Sequence, residues 1–302
     1  MQLMDYDEMR AAFFAPRPGA RAGTGWDSPA RRLRDAVEPL AAVNFWSEPA
    51  YREYTALGLD FLTGYVWSRS AALGEAEPGV VAAAFGVFAP TLVADLLSAA
   101  RAACSLADVR AAALRGASTA LTEALGDADG LAETLAALRE AASACDIAGR
   151  PLYAGALGQP WPEDEHASLW HAATVLRECR GDSHLAARVA AGVSGVEANL
   201  LTELWVGYEP YAYAGTRGWS PEALAAAQEG LRERGLLDGD RLTDTGRALL
   251  ADAERATDDA MAPAVRALGD RFDDVVTRCT AWSEAVVEHG WFPPDPFKRA
   301  AG

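Results

Sequence analysis

The stretch Leu231–Glu254, LRERGLLDGDRLTDTGRALLADAE, decides the fold because it changes conformation several times within a short span. Helical periodicity runs up to Gly235, which suits a left-handed C-cap. The few residues from Gly235 to Thr243 are the one strand-like run in a chain that otherwise reads as mostly α, and they fit a small hairpin. Thr243 then stands where it can cap a helix beginning at Gly246.

Working outward, Ser220 and Pro221 open the helix that leads into this stretch, as cap and first helical residue. An aromatic loop (Tyr208, Tyr211, Tyr213) and the segment GVEANLLTELWVG precede it. Further back, ASLWHAATVLRECRG reads as an amphipathic helix ended by Gly181, and Asp182 is placed to cap a second helix, SHLAARVAAG, before a turn at Gly192–Ser194. In the first half, Ser47 and Pro49 mark a break, Gly86 and Pro90 another, and Ser105 with Asp108 forms a capping signature. The expected division is a Pro/Gly/Arg-rich arm at 1–34, a helical domain at 35–148, a Gly/Pro-rich linker at 149–166 and a second domain at 167–302.

Composition removes many functions. The chain has 302 residues with 27 Lys+Arg against 43 Asp+Glu, a formal net charge of −16, which repels nucleic-acid phosphates and anionic membranes alike. The longest uncharged run, between Glu77 and Asp95, is too short to span a bilayer, and MQLMDYDEMR has no apolar signal region, so a cytoplasmic location is expected. The cysteines (Cys104, Cys145, Cys179, Cys279) form no C-x-x-C pair, and Cys179 in its Ala-rich helix fits packing better than a reactive thiol. Lys298 is the single lysine, which argues against Schiff-base chemistry. Phosphate-loop, dinucleotide and zinc-protease motifs are absent, and no cofactor or metal is expected.

The quoted run resembles the recognition-helix end, wing and following helix of MarR-type winged-helix proteins, through Gly235–Leu236 and the turn Leu242, Thr243, Gly246. HLAARVAAGVSGVEANLL looks like a helix–turn–helix, with Ala187, Gly192 and Val196 near the small-residue and turn positions. The longer block from Leu169 to Leu201 is similar to one in a MarR-like family of high-GC bacteria, some of whose members stand among natural-product genes; this implies small-molecule work. Val81–Leu97 aligns without a gap on Leu185–Leu201, and Gly86–Val87 matches Gly192–Val193 in a competing offset. The resulting expectation is a mainly α protein of tandem winged-helix-like halves with a small β wing, acting as a monomeric pseudo-dimer or as a homodimer.

A DNA-reading helix offers Arg, Lys, Asn or Gln to bases and phosphates. Ser220–Arg241 instead sets three arginines against five carboxylates, so DNA is an unlikely partner on charge grounds. The densest polar cluster is His171, Arg177, Glu178, Arg180, Asp182 and His184. If the chain turns at Gly181, it forms a corner in which His171 or His184 acts as acid or base, Asp182 orients an imidazole, and Arg177 or Arg180 holds a carbonyl or carboxylate. Each of these residues also has a structural reading, as cap, surface charge or packing histidine. Arg69, Tyr65, Trp67, Trp170 and Phe88 complete the expected pocket for a small apolar or aromatic ligand between the halves. The leading expectation is a cofactor-independent enzyme; the alternatives are a ligand-responsive regulator and a non-catalytic binding or resistance protein.

Overall fold

The computed structural model describes residues 5–14 and 26–295; positions 15–25 of the expected arm and Lys298 lie outside the described residues. Helices α1 (Tyr6–Phe14), α2 (Pro29–Trp46), α3 (Glu48–Ala56), α4 (Phe61–Ser70), α5 (Pro78–Phe85), α6 (Pro90–Ala103), α7 (Leu106–Leu125) and α8 (Leu131–Ala142) make up the first part. Their starts follow from local chemistry. Ser28, Ser47, Asp60 and Ser105 each accept a hydrogen bond from the third backbone N–H of the helix they open. Proline occupies the first helical position of α2, α5 and α6, where its missing N–H costs nothing.

The second part contains α9 (Pro151–Leu157), α10 (Glu165–Ala190), α11 (Gly195–Val206), α12 (Pro221–Glu233), β1 (Leu237–Asp238), β2 (Arg241–Leu242), α13 (Asp244–Leu268) and α14 (Phe272–Glu288). The expected helix end at Gly181 is absent: α10 runs unbroken through it as the axis of the molecule, packing against α2, α7, α8, α9 and α13. A mid-helix glycine costs about 1 kcal/mol relative to alanine. Burial of Leu176, Cys179, Ser183 and Arg188 on either side outweighs that cost. Asp182 therefore caps no helix of its own. Its carboxylate accepts the Tyr153 N–H at 2.9 Å and closes the start of α9, a helix that lies inside the stretch expected as linker.

One apolar cluster joins α2, α8, α10, α13 and α14 through residues such as Leu40, Leu138, Leu169, Ala264 and Val286, so residues on both sides of 149–166 share a core. A second cluster fills α3 to α7 around Trp67 and Leu97. A third belongs to the helix-turn-helix unit and contains Leu200, Leu201, Leu231, Leu237 and Leu242. In that unit Gly192 turns the chain at φ +67°, and Ser194 with Glu197 forms a reciprocal cap on α11. The strands pair antiparallel as Leu237↔Leu242 and Asp238↔Arg241, with the leucines buried and the charged pair exposed.

Gly246 is required by proximity: a Cβ there would sit 2.3 Å from the Leu236 carbonyl oxygen, where α13 passes under the wing. Among the described residues this is the one sheet, and in the first half α5 and α6 are joined through Gly86 (φ +70°) with no strand after them. The two turns meet. Asn199 Nδ2 and Trp219 Nε1 both donate to the Val87 carbonyl, at 2.7 and 2.9 Å. No described helix is long and apolar enough to cross a membrane.

Candidate functional site

Where the helix-turn-helix unit meets the helical body, a cavity of about 300 Å³ opens between α2, α4, α5, α10 and α11. Its walls are helical stripes. From α10 come Arg177, Arg180, Gly181, His184, Leu185 and Arg188, at the three- and four-residue spacing of a single face. Helix α2 contributes Arg31, Arg34, Glu38, Ala42 and Phe45 in the same rhythm, and α11 adds Ala198, Asn199, Thr202 and Trp205. Gly181 has no atom within 3.9 Å of an added Cβ except a Glu178 oxygen, so the missing side chain leaves cavity space. Phe45, Tyr65, Phe85 and Phe88 form an aromatic wall, with Phe45–Tyr65 and Tyr65–Phe88 centroids 4.8 and 5.8 Å apart.

Seven arginines line this space: Arg31, Arg34, Arg69, Arg177, Arg180, Arg188 and Arg217. At the aromatic end Arg69 and Arg177 are paired with carboxylates. Glu178 receives Arg69 at 2.9 Å and Arg177 at 2.6 Å, and Glu38 receives Arg177 at 3.2 Å. Burial would raise the Glu178 carboxyl, but the two guanidiniums overcome it and hold it below the ordinary carboxylate value. Arg217 instead lies over the Phe88 and Tyr213 rings, at 4.9 and 4.2 Å.

At the other end Arg188 stands without a carboxylate. Arg180 pairs with Glu254 at 2.7 Å, and Arg31 and Arg34 share Asp35 at 3.1 and 2.6 Å. Arg188, only 2% exposed, has no carboxylate on it; its Nε donates to His184 Nε2 at 3.2 Å and its Nη2 to Thr202 Oγ1 at 3.2 Å. Thr257 donates its hydroxyl to Ala253, so its oxygen accepts from His184 Nδ1 at 3.1 Å, which fixes a neutral imidazole. Burial, then Arg188 and Arg180, push the His184 pKa well below its usual 6.5. Burial also lowers both Arg180 and Arg188 to about 10.

Of the residues singled out from sequence, Tyr65, Arg69, Phe88, Arg177, Arg180 and His184 line the cavity. His171, Asp182, Trp67 and Trp170 do not, and the corner that was to unite them is absent because α10 is straight through Gly181. His171 packs edge-on against Trp161 at 4.7 Å, and burial with the Arg139 charge lowers its pKa to about 4. Asp182 is raised to about 6 by burial, and its carboxylate accepts the Tyr153 N–H rather than orienting an imidazole; it holds α9. Trp67 is core, with Arg101 over its ring at 4.9 Å, and Trp170 Nε1 donates to the Ala41 carbonyl at 3.1 Å. The Cys179 thiol is raised by its hydrogen bond with Cys145 and by burial, consistent with packing. Sequence reasoning passed over Arg31, Arg34, Arg188 and Glu254. The i, i+3, i+4 stripe Arg177–Arg188 was the available signal, hidden by the assumed break.

The outward face of α12 presents Glu222, Ala225, Ala226, Glu229 and Glu233. Its arginines are engaged at home: Arg232 with Glu229 and Asp240 at 3.0 and 3.1 Å, Arg234 with Glu197 at 3.0 Å. Among the described residues no group of three or more His, Cys, Asp and Glu side chains could hold a metal ion.

A family model described as a helix-turn-helix family matches residues 30–293, which takes in α2 to α14. No curated protein and no solved structure matches the chain.

Proposed function

The chain belongs to a helix-turn-helix family, and from that membership and the cavity at the joint of its helix-turn-helix unit we propose that it binds a small, largely apolar or aromatic molecule and has turned away from DNA. The observation that carries this reading is the cavity itself: about 300 Å³, walled by Phe45, Tyr65, Phe85 and Phe88 and floored by the glycine of α10. That is the lower end of the size range of small-molecule sites. The resemblance to MarR-like proteins beside natural-product genes supports the same direction. The acid and alanine face of α12 supports the loss of phosphate contacts.

Binding is favoured over proton transfer as the work of the site. His184 is the one of the three acid–base candidates on the cavity wall, and both its ring nitrogens are already engaged, with Thr257 and Arg188. It acts here as a positioning residue for Arg188. The regulator reading keeps one specific support: α11 of the helix-turn-helix unit forms part of the ligand wall, so a ligand would touch both the body and that unit.

The test titrates N-phenyl-1-naphthylamine, a neutral aromatic probe, and follows its fluorescence. Saturable binding at one site, abolished by Gly181→Phe, is expected; binding that survives Gly181→Phe or never saturates overturns the cavity reading. Anisotropy with DNA from around the gene, at about 50 mM salt, is expected to show no saturable complex. A competitor-resistant complex would restore the regulator.

A further inference from the structure

Resting on that reading, the geometry points to the chemical class of the ligand: we infer that it carries a carboxylate or phosphate group, seated at the Arg180–His184–Arg188 end of the cavity with its apolar body against the rings. The first observation is charge. Seven arginines line the cavity, and Arg188 is a buried one whose hydrogen bonds go to His184 and Thr202, with no carboxylate on it. In a chain of net charge −16 this concentration of positive charge in one interior space runs against the composition.

The second observation is unpartnered donors. Arg188 Nη1 and Arg180 Nε are buried without an acceptor, although the two side chains are only 2% and 6% exposed. An uncompensated buried guanidinium is costly, and a donor left unmade costs more than a bond to it contributes. An anionic group in the cavity beside α10 and α11 would compensate the charge of Arg188, the lining guanidinium that has no carboxylate on it. Guanidinium is the side chain whose fork matches carboxylate and phosphate oxygens.

His184 fits this role. Held neutral by Thr257 and accepting from Arg188 Nε, it adds no charge of its own and fixes the plane in which Arg188 presents its remaining nitrogens. Glu254 opposes an anion but is occupied by Arg180 at 2.7 Å. At the far end Arg69 and Arg177 are paired with Glu178 and Glu38 and Arg217 lies over the Phe88 and Tyr213 rings, so that end offers an aromatic wall to the apolar part of the molecule.

Calorimetric titration of three probes of one ring system, 2-naphthoate, 2-naphthyl phosphate and the neutral 2-naphthamide, tests this. At least one anion is expected to bind about tenfold or more tighter than the amide, as a charged hydrogen bond in a buried site allows. Whichever anion is tighter identifies the group. Arg188→Gln is expected to erase the anion's advantage over the amide, and Arg188→Lys to restore part of it. Equal binding of amide and anions, or an Arg188→Gln variant that weakens all three alike, overturns the anion site while leaving the apolar cavity standing. Failure of all three probes to bind overturns the cavity reading on which the inference rests.

Discussion

Helices α10 and α12 both carry arginines, and they use them in opposite ways. On α10, Arg177, Arg180 and Arg188 face inward along one stripe, shielded from water and set around a cavity. On α12, the helix that would enter a DNA groove, Arg232 and Arg234 are exposed or half-exposed and tied to Glu229, Asp240 and Glu197. Exposed pairs of that kind contribute roughly 0–1 kcal/mol and are screened by salt. Buried ones are unforgiving, because breaking a pair strands a charge in a poor solvent. The arginines of α10 line an interior space, whereas those at the C-terminal end of α12 face solvent and are tied to neighbouring carboxylates. That difference separates a fold label from a function.

The comparison breaks most severely at Glu178, which receives both Arg69 and Arg177 and is 3% exposed. Glu178→Ala leaves two guanidiniums without their shared partner, and denaturant unfolding should show a loss of roughly 3–5 kcal/mol. Loss of under about 1 kcal/mol would mean that water reaches this end of the cavity freely. Next comes His171, whose folded pKa of about 4 lies below the unfolded value near 6.5. A depressed value means that stability is present above pH 6.5 and lost as pH falls toward 4, because the unfolded chain takes up the proton first. The window corresponds to about 3 kcal/mol. Unfolding measured across pH 7 to 4 should show this slope reduced in His171→Phe; an unchanged slope would assign the acid sensitivity to other groups, such as His184.

Much of the fold was legible because its signals are local. Ser105 with Asp108, Ser220 with Pro221, Gly235 and Thr243 act through their own neighbours, and each stands where its chemistry places it. The small hairpin and the mainly α character follow from the same kind of signal. Gly181 misled because a glycine followed by Asp is a helix end on local grounds; what keeps α10 whole is packing against α2, α8 and α13, which no window of sequence contains. The cavity was only half legible for the same reason. Arg69, Arg177, Arg180 and Tyr65 drew notice as residue types, whereas Arg31, Arg34 and Glu254 reach the site by long-range packing. His171, although beside a tryptophan, faces Trp161 and away from the cavity.

Gly181 itself sharpens the point at smaller amplitude. A side chain at a left-handed helix end is strained, but Gly181 has no positive φ and open space beside it. Gly181→Ala should therefore stabilise the protein by about 0.5–1 kcal/mol through helix propensity. Destabilisation of similar size would argue for a break in α10 after all.

A stability effect of the same small size is expected on α12, and it bears most directly on the contrast with α10. Glu222 and Glu229 are exposed, and replacing both with lysine, which removes the first-turn carboxylate and the Arg232 pair, should lower unfolding free energy by about 0.5–1 kcal/mol. The same double change turns two repulsions into two phosphate contacts. Counterion release then predicts a non-specific DNA affinity that falls with salt at a log–log slope of about −2, against no saturable binding for the native chain. If the native chain already binds DNA with a steep salt slope, some other basic surface must supply the contacts, and the charge of α10 would no longer be the chain's main concentration of cations. If the double variant gains nothing, the alanine face of α12 rather than its acidity is what bars the groove, since Ala225 and Ala226 offer no hydrogen bond to a base or a phosphate.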